Sequence, residues 1–171
     1  MQALIRLYWD IVLFRRGPRD VLPSLPLLAF LSLLYIAIGT IQAQLQFGPS
    51  LALLCGLADF ALTCIVFGVA LYLRGCQHRW LQTLNAILGA AALLSLPMLA
   101  LQVARQGLAE QDRRLLLLSV LSVPLLVWYL FVIGHITKLA LDVSLLAGMA
   151  VAMTYVLLGY LLVEQWPTSV A

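Results

Sequence analysis

Charge is what this sequence has least of. Ten Lys and Arg and seven Asp and Glu are spread over 171 residues, whereas a soluble domain uses roughly a quarter of its positions to keep its surface in water. A soluble globular fold is therefore not expected. Cysteine is scarce too: Cys55, Cys64 and Cys76 supply no disulfide framework. Cys55 and Cys64 stand on nearly opposite faces of one apolar run, as buried small hydrophobes do, and Cys76 falls in a connector. The motifs that announce reaction chemistry are missing. There is no glycine-rich phosphate loop, no nucleophile elbow and no paired-histidine metal motif. The pair Cys76 and His78 has no second pair to complete a metal site. The expectation is a protein that is not an enzyme and carries no cofactor and no metal.

Long apolar runs fill the chain instead. They read Val21–Gln42, Leu51–Leu73, Trp80–Val103, Leu115–Gly134 and Leu139–Val163, in a sequence that is 64% hydrophobic with mean hydropathy +1.05. At a rise of 1.5 Å per residue each can cross a hydrocarbon layer about 30 Å thick. The runs are continuous, so helices are expected rather than barrel strands, which alternate apolar and polar residues. The predicted fold class is all-α: an integral membrane bundle of five transmembrane helices over residues 21–164, followed by a short tail over 165–171.

A different pattern occupies residues 1–20. Gln2, Arg6 and Asp10 recur at i, i+4 and i+8, opposite Leu4, Leu7, Tyr8, Ile11 and Phe14, with Trp9 near the edge. This predicts an amphipathic helix at the membrane surface, closed by Arg15-Arg16 and broken by Gly17-Pro18. Arg6 and Asp10 are spaced for an ion pair along it. Charges inside its apolar region argue against a signal peptide.

Cationic residues give the bundle a direction. Arg6, Arg15, Arg16, Arg19, Arg74, Arg79 and Lys138 fall on one side, and Arg105, Arg113 and Arg114, diluted by Glu110 and Asp112, on the other. Seven against three predicts a cytoplasmic N-terminus and an external C-terminus. The net charge of +3 is read as topology and contact with anionic headgroups, not nucleic-acid binding.

Within the spans, Asp59 is the outstanding residue. It lies about 12 Å into its run, near mid-membrane, where an acid costs about 2.5–3.5 kcal/mol and is expected to face the bundle interior. Ala52, Cys55, Gly56 and Thr63 share its helix face. Ser32, Tyr35 and Thr40 on the first span and Asn85 on the third are candidate partners. Asp59, Thr63, Tyr35 and Asn85 thus form a candidate intramembrane polar site, either a hydrogen-bonded structural acid or a proton or ion site. Pro97 and Pro124 are expected to kink their helices. Ser144, Gly148, Ala152, Tyr155 and Gly159 line one face of the last span, a small-residue surface suited to close helix packing. Trp80, Trp128, Tyr129 and Trp166 are candidate interfacial anchors, Trp128 being deep enough to pack instead. Asp142 is expected to open the last span as a cap, and His135 to stand at the end of the fourth beside Lys138.

Two segments carry a family resemblance. One is Leu13-Phe14-Arg15-Arg16-Gly17-Pro18-Arg19-Asp20, a basic stretch before the first span. The other runs from Trp128-Tyr129-Leu130 to Gly134-His135-Ile136-Thr137-Lys138-Leu139-Ala140-Leu141, taken as a tight turn between the last two spans. With the order of spans they resemble the Yip family (Ypt/Rab-interacting) of five-span membrane proteins in its compact bacterial form. The resemblance implies a five-helix fold, a cytoplasmic N-terminus, the bacterial inner membrane and a role in membrane organisation or assembly. The acidic N-terminal region of eukaryotic members, with its Tyr-Gly-Pro-type motif, does not appear, so GTPase binding is not implied.

The leading expectation is a non-enzymatic accessory, scaffold or assembly factor working through helix–helix and lipid contacts. Its partners would be the bilayer and either another membrane protein or a second copy. The alternative is a small transporter or channel centred on Asp59. A third reading, an enzyme acting on lipid, would require His78, His135, Lys138 and Asp142 to converge.

Overall fold

The computed structural model describes residues 2–109 and 112–164. Among them are six α-helices and no strand: α1 Gln2–Val12, α2 Leu25–Gln44, α3 Pro49–Leu73, α4 Trp80–Arg105, α5 Arg113–Leu141 and α6 Leu145–Glu164. Helices α2 to α6 contain five stretches long and apolar enough to span a bilayer. The chain is an all-α, multi-pass membrane protein. Glu110, Trp166 and the 165–171 tail lie outside the described residues.

Local chemistry sets the helix ends. Ser24 caps α2 by accepting from the Leu27 amide, and Pro26 stands in its first turn, so α2 begins four residues after the expected Val21. Pro49 opens α3, the Asp112 carboxylate accepts from the Arg114 amide at 2.8 Å to open α5, and Ser144 caps α6. At the other ends, Gly75 (φ 69°) and Gly107 (φ 75°) take the left-handed conformation after α3 and α4. Two non-glycine residues do the same work. Phe14 (φ 61°) closes α1, where the Arg15 amide donates to the Asp10 carbonyl at 2.8 Å. Asp142 (φ 56°) closes α5, where the Val143 amide donates to Lys138.

This corrects the expected boundary between the last two spans. Residues Gly134 to Leu141 are not a turn but the last two turns of α5. Ile133, Ile136, Thr137, Ala140 and Leu141 are buried at helical spacing, so the periodicity of the run carries on past Gly134. Asp142 therefore ends α5 instead of opening α6, and its carboxylate lies 3.8 Å from Arg19 at the surface, not against Lys138. His135 sits within the helix, its ring edge-on to Phe14. Pro97 and Pro124 lie inside continuous helices.

The spans close into a ring in the order α2–α3–α6–α5–α4, each packed on the next. On α4 every residue from Thr83 to Ala92 is buried. Small side chains there let neighbouring backbones approach. α1 docks across α4 and touches α5. The Tyr8 ring rests on Gly89, where a Cβ would collide with it, and its hydroxyl donates to the Asn85 carbonyl at 3.2 Å. Burial pushes the Tyr8 hydroxyl well above the usual phenol range, so it stays a donor. The α1 ion pair is Asp10 with Arg16 at 3.5 Å, in place of the expected Arg6, because the left-handed turn at Phe14 folds the chain back over Asp10. Trp128 donates its indole N–H to the Val12 carbonyl at 3.1 Å and is otherwise an exposed ring.

One end of the bundle is basic. Arg74 donates to the carbonyls of Leu141 and Asp142, and Arg79 donates to that of Ala140. Both guanidinium groups satisfy orphan carbonyls and complement the dipole at the end of α5.

Candidate functional site

Four helices bring polar side chains together at mid-height. Asp59 and Thr63 come from α3, Tyr35 from α2, Tyr129 from α5 and Tyr155 from α6. Tyr35 and Tyr155 each lie ten residues into their helices, which are twenty residues long. Both residues therefore sit about 15 Å from either helix end. The Tyr35 hydroxyl donates to Asp59 Oδ2. The Tyr155 hydroxyl donates to Asp59 Oδ1 at 3.0 Å and lies 2.9 Å from the Tyr35 hydroxyl. Thr63 Oγ1 reaches the Asp59 carbonyl at 2.9 Å and the Tyr155 hydroxyl at 3.3 Å. The Tyr129 hydroxyl lies near those of Tyr155 and Tyr35.

Asp59, Tyr35 and Tyr155 make a triangle of three hydrogen-bonding edges. When the carboxyl is ionised, two tyrosine protons serve three edges. A proton on the carboxyl supplies the third, each group then donating to the next round the ring. A carboxylate accepts about four hydrogen bonds, and the tyrosines use two. Asp59 thus retains acceptor capacity for a donor that is not part of the cluster.

That capacity has access. A cavity of about 430 Å³ runs between all five spans. Gln46 and Phe47 of the α2–α3 loop line its mouth, together with Gln42, Gln102 and Tyr160, and Asp59 lines its inner part. Tyr35, Thr63, Tyr129 and Tyr155 are not part of the lining. Towards the basic end, Phe67, Leu31, Val132 and Ile133 are fully buried in the main apolar core. The cavity lining reaches from the α2–α3 loop to the level of Asp59 and Leu62, near mid-height of the bundle. A larger groove of about 790 Å³ between α1, α2 and α4 is lined almost wholly by apolar side chains.

Of the residues expected to form the polar site, Tyr35 and Thr63 come to Asp59 and Asn85 does not. Asn85 lies five residues into α4 at the basic end and donates to the carbonyls of Leu22 and Ser24 at 3.2 and 3.3 Å. It fastens the chain entering α2, about 13 Å from the Asp59 level along the helix axes. Thr40 faces Gly56 at the α2–α3 crossing. Sequence reasoning placed Tyr155 on the packing face of α6 and Tyr129 at the interface, and assigned neither to the site. The distance of each from its own helix ends was the signal available.

The small-residue face of α6 is spent within the chain. A Cβ on Gly148 would strike the Gly134 carbonyl and the Lys138 backbone, Ala152 is fully buried, and Gly159 faces Leu62 and lines the cavity. Ser144 is exposed and caps the helix. Among the described residues, no three His, Cys, Asp or Glu side chains group to hold a metal. No protein-family model, curated protein or solved structure matches the chain.

Proposed function

We propose that this is a small transporter or channel-type membrane protein whose solute reaches Asp59 through the five-helix cavity. The observation that carries this reading is a mid-membrane carboxylate lining a cavity that reaches the α2–α3 loop, which we read as a half-channel open at that end. An acid kept at that depth against its insertion cost marks a pathway more often than a packing element. The accessory or scaffold role drew its support from the small-residue face of α6, and that face packs against α5 and α3 within the chain. A Yip-like role in membrane organisation rests on the two sequence segments that suggested it. With the N-terminus in the cytoplasm of a bacterial inner membrane, the cavity opens to the outside, consistent with the cationic end lying inside.

The test is flux across proteoliposomes that contain wild type or Asp59→Asn, for protons, alkali cations and small organic amines. The reading predicts flux of at least one class that the substitution reduces about tenfold or more, the scale of losing one charge-assisted contact. Equal flux for every class would remove it.

A further inference from the structure

We propose that the ligand of this cavity is a small organic ammonium with an apolar body, bound by its charged head at Asp59; this rests on the solute-pathway reading above and names its substrate class. Three features of the cavity select that chemistry. The first is charge: among the described residues, Asp59 is the only ionisable carboxylate, amine or guanidinium group in the lining, so a cation is favoured and an anion has no counter-charge there. An ammonium head offers several N–H donors to the carboxylate acceptor capacity left by Tyr35 and Tyr155.

The second is spacing. Between Asp59 and the mouth the wall is formed by Gly39, Cys55, Gly56, Val156 and Gly159, with Leu62 one turn beyond Asp59. Gln42 is seven residues beyond Tyr35 on α2, about 10 Å nearer the mouth. A bare metal cation needs roughly six oxygen ligands within about 2.6 Å, and the glutamines are too far from Asp59 to complete such a shell. A ligand with a cationic head and an apolar body matches the sequence of surfaces along the wall.

The third is an acceptor left waiting. Gln102 Oε1 is buried and has no hydrogen-bond partner among the described residues, and Gln102 lines the same cavity. It can accept from a polar group at the outer end of the ligand or from a water beside it. The volume of about 430 Å³ lies within the range of small-molecule sites, which are mostly apolar with few polar groups. A lone proton or alkali ion would leave most of it to water.

The experiment is equilibrium binding to the full chain in nanodiscs, with empty nanodiscs as the partition control. The probes are 2-phenylethylammonium and its uncharged counterpart 2-phenylethanol. The expected result is saturable binding of the ammonium, at least about tenfold weaker for the alcohol and for Asp59→Asn, and undiminished when sodium chloride replaces isosmotic sucrose. Gly159→Ile provides an independent variant. A Cβ at Gly159 has room, meeting Leu62 at 3.8 Å, and Gly159 lines the cavity one turn beyond Tyr155 towards the mouth, so the larger side chain should narrow the cavity and ammonium binding should be lost. Absence of saturable ammonium binding, alongside Asp59-dependent flux of protons or alkali ions, would overturn the ligand class and leave the pathway standing. Displacement by sodium would also overturn it, in favour of an inorganic ion. Loss of both binding and Asp59-dependent flux would remove the pathway as well.

Discussion

The hydroxyl of Tyr155 lies 3.0 Å from Asp59 Oδ1, joining α6 to α3 across 96 residues of sequence. The Tyr35 hydroxyl holds the other carboxylate oxygen from α2. The acid is thus fixed from two sides by groups at mid-membrane, and its remaining acceptor capacity is left to the cavity. What the tyrosines hold in place and what the cavity admits are separable by substitution.

Asp59→Asn preserves the triangle. The amide oxygen accepts from Tyr155, the amide nitrogen donates to Tyr35, and Tyr35 donates to Tyr155, so all three edges carry a proton. Thermal stability in detergent should therefore change by less than about 1 kcal/mol. Tyr155→Phe removes one vertex and should cost about 1–2 kcal/mol, read as a lower melting temperature. Asp59→Asn melting lower than Tyr155→Phe would contradict the geometry.

Gly56→Ala tests the α2–α3 crossing. The added Cβ would sit 2.6 Å from Thr40 Oγ1, 3.0 Å from the Ile36 carbonyl oxygen and 3.1 Å from the Thr40 amide nitrogen. Two of these atoms belong to backbone and cannot swing aside. A loss of about 1–3 kcal/mol is expected from overpacking, seen as a lower thermal midpoint. Gly48→Ala, where a Cβ meets nothing within 4 Å, is the control.

Asp142→Gly should be neutral or stabilising, by up to about 1 kcal/mol. The left-handed backbone at φ 56° suits glycine. The Arg19 contact it forfeits is exposed, at 3.8 Å, and is worth little. Chemical unfolding monitored by helical circular dichroism would show this, and a clear destabilisation would give the surface pair a larger role.

Asn85→Leu should loosen the N-terminal segment while leaving the Asp59 cluster intact. It removes the donors to Leu22 and Ser24. Trypsin should then cut faster after Arg15, Arg16 or Arg19 in detergent-solubilised protein, with the Asp59-dependent flux retained. Unchanged cleavage would mean that Tyr8 on Gly89 holds α1 without help.

Much of this was legible in the sequence, and the missing parts have physical causes. The five spans follow from run length and the scarcity of charge, and the amphipathic first helix from three polar residues at a spacing of four. Asp59 stands out because it is the one charged residue between Asp20 and Arg74. Its partner Tyr155 did not, because tyrosine is at home both in an apolar core and at an interface, and composition does not separate the two. Asn85 misled for the opposite reason. An amide within an apolar run suggested a mid-membrane partner, but its distance from the start of α4 puts it at the basic end. The end of α5 was hidden because its left-handed stop is an aspartate and not a glycine.

The central claim is that Asp59 is reached from the α2–α3 loop end and from nowhere else. Cys55 lines the same cavity one helical turn nearer the mouth, so it can report on access once Cys64 and Cys76 are replaced by alanine. In vesicles of known orientation, a small charged methanethiosulfonate reagent should modify Cys55 when added on the α2–α3 loop side, and leave it unmodified when added on the side of Arg74 and Arg79. Modification from the basic side, or none from either, would contradict the half-channel on which the account depends.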